Sequence, residues 1–216
     1  MKVYFVSGLA ADSRVFKNIQ LPDHCIPVFL EWIDPQKNES LKNYALRLAE
    51  KIDTSEPFAI VGLSMGGMIT AEICKKYTPA HTILISSVPS SKQLPFYFKT
   101  AGKLRLHKMI PVSLVKSAAI LKRVFTTETD EDKAILQSII KDSDVKFIHW
   151  AMDAILKWRS DHPPVSYIHI HGSRDEVLPM RFTSPTHIIN KGGHLLVMNR
   201  AGELNAILRD QLRISH

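Results

Sequence analysis

One serine in this chain is set among glycines. The stretch "AIVGLSMGGMI" places Gly62, Gly66 and Gly67 around Ser64, in a chain that has only nine glycines. A serine hydroxyl is a weak nucleophile at neutral pH. It attacks a carbonyl when a base, normally histidine, takes its proton and a carboxylate orients that base. Two later segments offer such partners: "SRDEVLP" supplies Asp175 and "KGGHLLVMN" supplies His194. Together the three would perform acyl transfer, with attack on an ester-like carbonyl, an acyl-enzyme and its hydrolysis by water. That chemistry needs neither a metal nor an organic cofactor, and none is expected.

These side chains need a frame to bring them together. "KVYFVSG", "CIPVFLEW", "FAIVGLS", "HTILISS", "SYIHIHG" and "PTHIIN" are short, rich in β-branched residues and bounded by Gly, Pro, Ser or Asn. They read as strands buried on both faces, as in a parallel sheet. Helical patterns lie between them. "SLKNYALRLAEKI" puts Leu41, Ala45, Leu48 and Ile52 on one face behind a Ser40 N-cap. "MGGMITAEICKKY" turns Met68, Ala71 and Ile73 inward, and "AGELNAILRDQL" closes the chain. From about Pro89 to Pro163 the alternation stops and four helices are expected, near Phe96–Leu106, Ser113–Val124, Asp130–Lys141 and "DVKFIHWAMDAILKW". In the last, Phe147, Ala151, Ala154 and Trp158 share a stripe. The expected fold is α/β: a three-layer, doubly wound, mostly parallel sheet of about six strands, with an all-helical cap inserted before the last two. The core would comprise residues 1–88 and 164–216, and the cap residues 89–163.

Ser64 therefore lies between a buried strand and a helix, and Gly62-Leu63-Ser64-Met65-Gly66 fits G-x-S-x-G. On so tight a turn, side chains two residues before and after the serine would collide with the adjoining helix and strand. Gly67 then gives the new helix room for close approach. In "GLSMGG", in "HGSRDEVLP" with its H-G-x-x-D pattern and in "GGH", the chain resembles the α/β-hydrolase superfamily over nearly all its length outside the helical insertion. The resemblance implies the chain order serine, acid, histidine on loops after successive strands, and hence the triad Ser64, Asp175 and His194. It also implies an oxyanion hole from the backbone N–H groups of Met65 and Leu9. Many relatives carry His-Gly in the latter loop; this chain carries Ser7-Gly8. Seven of the nine glycines lie beside these loops.

Other residues invite weaker readings. Glu176 stands beside Asp175, but the resemblance favours Asp175. His169, His171 and His187 lie in or near expected strands and read as hydrogen-bonded packing residues. Asp12 reads as a turn-former or cap. Phe96, Phe147 and Trp150 are candidates to line an apolar substrate pocket, along with Met109 and Ile110, although aromatic residues at helical spacing are commonly core. The function expected is a serine hydrolase of carboxylesterase type acting on a small, partly apolar substrate. The alternatives are a cofactor-free lyase on the same triad, or a receptor or interaction protein on the same scaffold.

Composition narrows the partners. The chain has 216 residues, 45% hydrophobic and 23% charged, and a net charge of +7. From Lys92 to Arg123 there is no Asp or Glu, so the excess is local, and no nucleic-acid motif accompanies it. It reads as a solvated helix face partly paired with its acidic neighbour, with attraction of an anionic substrate or a membrane surface as the alternatives. No apolar run approaches the roughly 18 residues of a membrane span. "VYFV" is too short for a secretory signal and reads as a strand. Cys25 and Cys74 stand in no metal or redox spacing; two buried free thiols suggest the cytoplasm.

Overall fold

The computed structural model describes residues 1–104 and 129–213. Its centre is one sheet of six strands: β1 (Lys2–Val6), β2 (Ile26–Phe29), β3 (Phe58–Leu63), β4 (His81–Ile85), β5 (Ile168–Gly172) and β6 (His187–Ile189). They lie in the order β2-β1-β3-β4-β5-β6, and each neighbouring pair is parallel. Parallel neighbours need crossovers. Among the described residues these use α1 (Leu41–Leu48) before β3 and α2 (Met65–Ile73) before β4. Then α3 (Phe96–Lys103), α4 (Asp130–Asp142) and α5 (Val145–Lys157) lie between β4 and β5, and α6 (Leu196–Asn199) and α7 (Ala201–Gln211) follow β6. The helix expected at Ser113–Val124, the apolar Met109 and Ile110, and much of the basic stretch lie outside the described residues.

Alternation along the strands sorts the core into two layers. Val3, Phe5, Val61, Ile83, Ile85 and Ile170 pack on one side against Leu136, Ile139 and Ile140 of α4 and Leu204 and Leu208 of α7. Tyr4, Val6, Phe58 and Ile60 pack on the other, against α1, α2 and the Phe147–Ala151–Ala154–Trp158 stripe of α5. The helix starts are capped as their sequences suggest. Ser40 Oγ accepts from Asn43 N, Thr129 Oγ1 from Asp132 N and Asp144 Oδ1 from Phe147 N.

Two runs expected to be buried on both faces are not. Among the described residues β2 and β6 are the sheet edges, each bonded to one neighbour, and Ile26 (60% exposed) and Ile188 (56% exposed) face solvent. An apolar run marks a strand; its place in the strand order decides whether that run is covered. The central β3 is buried throughout. Because all six strands run the same way, their C-terminal ends share one edge of the sheet. The loops after β1, β3, β5 and β6 carry Leu9, Ser64, Asp175 and His194 along it. Among the described residues no helix is long and apolar enough to cross a membrane.

Candidate active site

Ser64 joins β3 to α2 with φ 53° and ψ −117°. A residue with a Cβ avoids that region, at a cost of about 1–3 kcal/mol. The surrounding structure holds it there. Ser64 N donates to Ile85 O at 2.9 Å, and Ser64 O accepts from Gly67 N at 3.0 Å and from Ser87 Oγ at 2.6 Å. The glycines make the turn possible. A Cβ on Gly62 would press into the Gly66 carbonyl and the Thr70 hydroxyl, and one on Gly66 into the carbonyls of Val6 and Ser7. These are the helix and strand collisions that the spacing implies.

The three candidates for chemistry meet. His194 Nε2 lies 2.9 Å from Ser64 Oγ, and His194 Nδ1 lies 2.8 Å from Asp175 Oδ2. A carboxylate only accepts, so Nδ1 carries the proton and Nε2 of the neutral ring is left to accept from the serine hydroxyl. Asp175, not the exposed Glu176, makes this bond. The Asp175 side chain is fully buried. Its Oδ1 accepts from Val177 N at 2.8 Å and Leu178 N at 2.9 Å. Burial alone would raise its pKa. The charge attraction of His194 and the hydrogen bonds from His171 and His194 outweigh that and hold the carboxyl well below the usual carboxylate range. The two loops can meet because Gly172 packs directly on the carbonyls of Gly192 and Gly193, and Arg174 N donates to Gly192 O at 2.9 Å.

The whole chain superposes on solved structures of like design. A thermophilic esterase from Thermogutta terrifontis, solved with malate bound, matches over 99% of this chain and 89% of that one, with TM-score 0.73 and 19% identity. A lipase-esterase related protein from Clostridium acetobutylicum matches over 98% and 94%, with TM-score 0.67 and 13% identity. The enol-lactonase from Burkholderia xenovorans matches over 98% and 90%, with TM-score 0.65 and 12% identity. The chain has the α/β-hydrolase fold. No family model and no curated protein matches its sequence.

In this α/β-hydrolase fold the loop after β1 stands against the serine. Leu9 lines the cavity beside Ser64, and Met65 heads α2, where the first N–H groups have no carbonyl within the helix. Ser7 secures this loop. Its Oγ donates to Ala11 O at 3.0 Å, Trp32 Nε1 donates to the same carbonyl at 2.8 Å, and Ala11 N closes the turn onto Gly8 O at 3.1 Å. Asp12 caps the short turn at Ser13–Phe16 and pairs with Arg14 at 2.6 Å, a structural role.

Above Ser64 and His194 lies a cavity of about 140 Å³, lined by Leu9, Met68, Phe98, Leu136, Ile140, Ile155, Val177 and Leu178. Among the described residues no Asp, Glu, Lys or Arg side chain lines it. The three aromatic residues expected in it are elsewhere. Phe96 is 68% exposed and touches Tyr97 and Phe182. Phe147 packs on Trp32 and Tyr44, and the Trp150 ring lies tilted against Tyr44, centroids 4.3 Å apart, and donates to Glu39 O. The apolar face of α5 that carries both is turned to α1, so helical spacing here marked core. Phe98, two residues beyond Phe96 on α3, faces the cavity instead.

His169 and His171 are buried and hydrogen-bonded, as expected of packing residues. The sequence reading missed that His171 also reaches Asp175, at 3.3 Å. Its place four residues before the acid in H-G-x-x-D was the available signal. Ser87 was missed as well; nothing local marks it, because it reaches Ser64 from the end of the neighbouring strand β4. Cys25 is buried, but Cys74 is only half-buried; both are free, and burial pushes the Cys74 thiol up to about 11.

Proposed function

We propose that this chain is a serine hydrolase acting on an ester-like bond of a small, uncharged, largely apolar substrate. The observation that carries the reading is the unbroken path from Ser64 Oγ through His194 to the buried Asp175, at the floor of an apolar cavity. Ser64 attacks the carbonyl carbon while His194 Nε2 takes the hydroxyl proton, and Asp175 stabilises the imidazolium that forms. The N–H groups of Met65 and Leu9 hold the developing oxyanion. His194 returns the proton to the leaving alcohol. Water, activated by the same imidazole, then releases the acid and restores Ser64. The segment 89–163, of which α3, α4 and α5 are described, acts as the cap, with Phe98 and Ile155 shaping the pocket. The free cysteines support a reducing compartment, the cytoplasm.

Intact-mass detection of fluorophosphonate labelling tests this, on the native chain and on Ser64→Ala and His194→Ala. One adduct on the native chain, absent from both variants, is the expected result. A folded native chain that takes no label would overturn the reading and favour a receptor on this scaffold.

A further inference from the structure

The proposed chemistry uses one oxygen of Asp175 and one histidine, yet the acid has a second imidazole beside it. His171 Nε2 lies 2.7 Å from Leu178 O and 3.3 Å from Asp175 Oδ2. Both atoms only accept, so His171 Nε2 carries a proton and shares it between them. His171 Nδ1 in turn lies 3.1 Å from His169 Nε2, the two rings edge to face at 87°. Both histidines are completely buried on β5, where a polar side chain is costly unless it is fully bonded.

The arrangement bears on how the acid is held. Oδ1 is pinned by the two backbone N–H groups of the loop, whereas Oδ2 carries the bond to His194. The two bonds to Oδ1 restrain the planar carboxylate as a whole, but at Oδ2 itself the ring to be oriented would be the one donor if His171 did not supply a second. We propose that His171 is a positioning residue for Asp175, giving Oδ2 a second donor besides His194, and that His169, bonded to His171 Nδ1, holds the His171 ring in place. The titratable groups that face this carboxylate are His194 from the loop after β6, His171 and His169 from β5, and Tyr97 from α3.

This inference rests on the hydrolase reading above, and its test separates the two. Glutamine places its amide nitrogen where His171 has Nε2, and asparagine places its own where His171 has Nδ1. His171→Gln therefore keeps the donor to Asp175, and His171→Asn loses it at similar polarity. The measurement is the fluorophosphonate labelling rate of Ser64 against pH. It is made for the native chain, both variants, Asp175→Ala, and His171→Asn combined with Asp175→Ala.

His171→Asn is expected to slow labelling about tenfold, the scale of one hydrogen bond to a charged group. It should also move the acid limb to higher pH, because an under-bonded Asp175 holds the His194 proton more tightly. His171→Gln should stay near native. In the Asp175→Ala background His171→Asn should cost nothing further, since its effect runs through the carboxylate. Equal behaviour of the two amides, or the same slowing in both backgrounds, overturns the proposal and leaves a packing role. Should His171→Asn not fold, His171→Met, which fills the space without a donor, replaces it in the same cycle. A native chain that takes no label overturns the hydrolase reading and this inference with it. A labelled native chain with an additive cycle overturns this inference alone.

Discussion

The Ser87 hydroxyl donates to the main-chain carbonyl of Ser64 at 2.6 Å, from a residue just past the end of the neighbouring strand β4. This bond and the Ser64 N–H bond to Ile85 O tie the strained turn to β4 and its end through both peptide groups that flank the Ser64 Cα. Gly67 leaves room for it, since a Cβ there would press into the Ser87 side chain. Ser87→Ala removes one buried hydrogen bond and should cost about 1–2 kcal/mol in urea unfolding. The labelling rate of Ser64 should fall with it, because the turn sets the direction of Oγ.

Asp175→Asn should lower kcat for ester hydrolysis by about 10⁴ with little change in KM, since the amide stabilises the wrong His194 tautomer. Glu176→Gln, on the exposed neighbour, should leave both constants native. Steady-state kinetics on the two variants decides which carboxylate serves; a large loss from Glu176→Gln would reverse the assignment.

Burial, and then the neighbouring His171, push the pKa of His169 down to about 3. The folded value thus lies below the unfolded one of about 6.5. Below that pH the unfolded chain binds a proton that the folded chain refuses. The contribution is therefore complete above about pH 6.5 and is lost as pH falls toward 3, at up to about 1.4 kcal/mol per pH unit. Urea unfolding at pH 7, 6, 5 and 4 should show this slope, and His169→Gln should flatten it. An unchanged slope would mean that other groups drive the acid loss.

Two glycine replacements should act in opposite directions. Gly66→Ala forces a Cβ into the carbonyls of Val6 and Ser7, and overpacking against backbone should cost about 2 kcal/mol or more. Gly202, inside α7, has nothing within 4 Å of its Cβ position, so Gly202→Ala should gain up to about 1 kcal/mol. Thermal melts of the two variants check both signs.

The apolar lining of the cavity sets a chain-length profile. Each methylene buried is worth about 0.8 kcal/mol, so kcat/KM for neutral esters should rise about fourfold per carbon until the roughly 140 Å³ is filled, then fall. Leu136→Phe should move the maximum to a shorter acyl chain. With no cation lining the cavity among the described residues, kcat/KM for neutral esters should not change between low and high salt.

Ser64, Asp175 and His194 were legible before any coordinate because their signals are local. A tight turn collides with its own neighbours at fixed offsets, so Gly62 and Gly66 announce it. Parallel strands send their C-terminal loops to one edge, so strand–loop order alone puts the three residues on a common rim. The amphipathic stripes of α1 and α5 were equally plain, since periodicity is a property of a single helix. What joins the chain to itself across space was decided by the tertiary structure. His194 and Ser64 are 130 positions apart, and only packing of Gly172 on the Gly192–Gly193 carbonyls brings the histidine loop beside the acid. The strand order made β2 and β6 edges and left part of their apolar runs exposed, Ile26 and Ile188 among them. The rotation of α3 chose Phe98 over Phe96 for the pocket, and the docking of α5 on α1 took Phe147 and Trp150 into the core. Ser87 acquired its partner only when β3 and β4 lay side by side, because hydrogen-bond distances between separate strands are not encoded in the spacing of either one, whereas His171 finds its partners within β5 and the loop that follows.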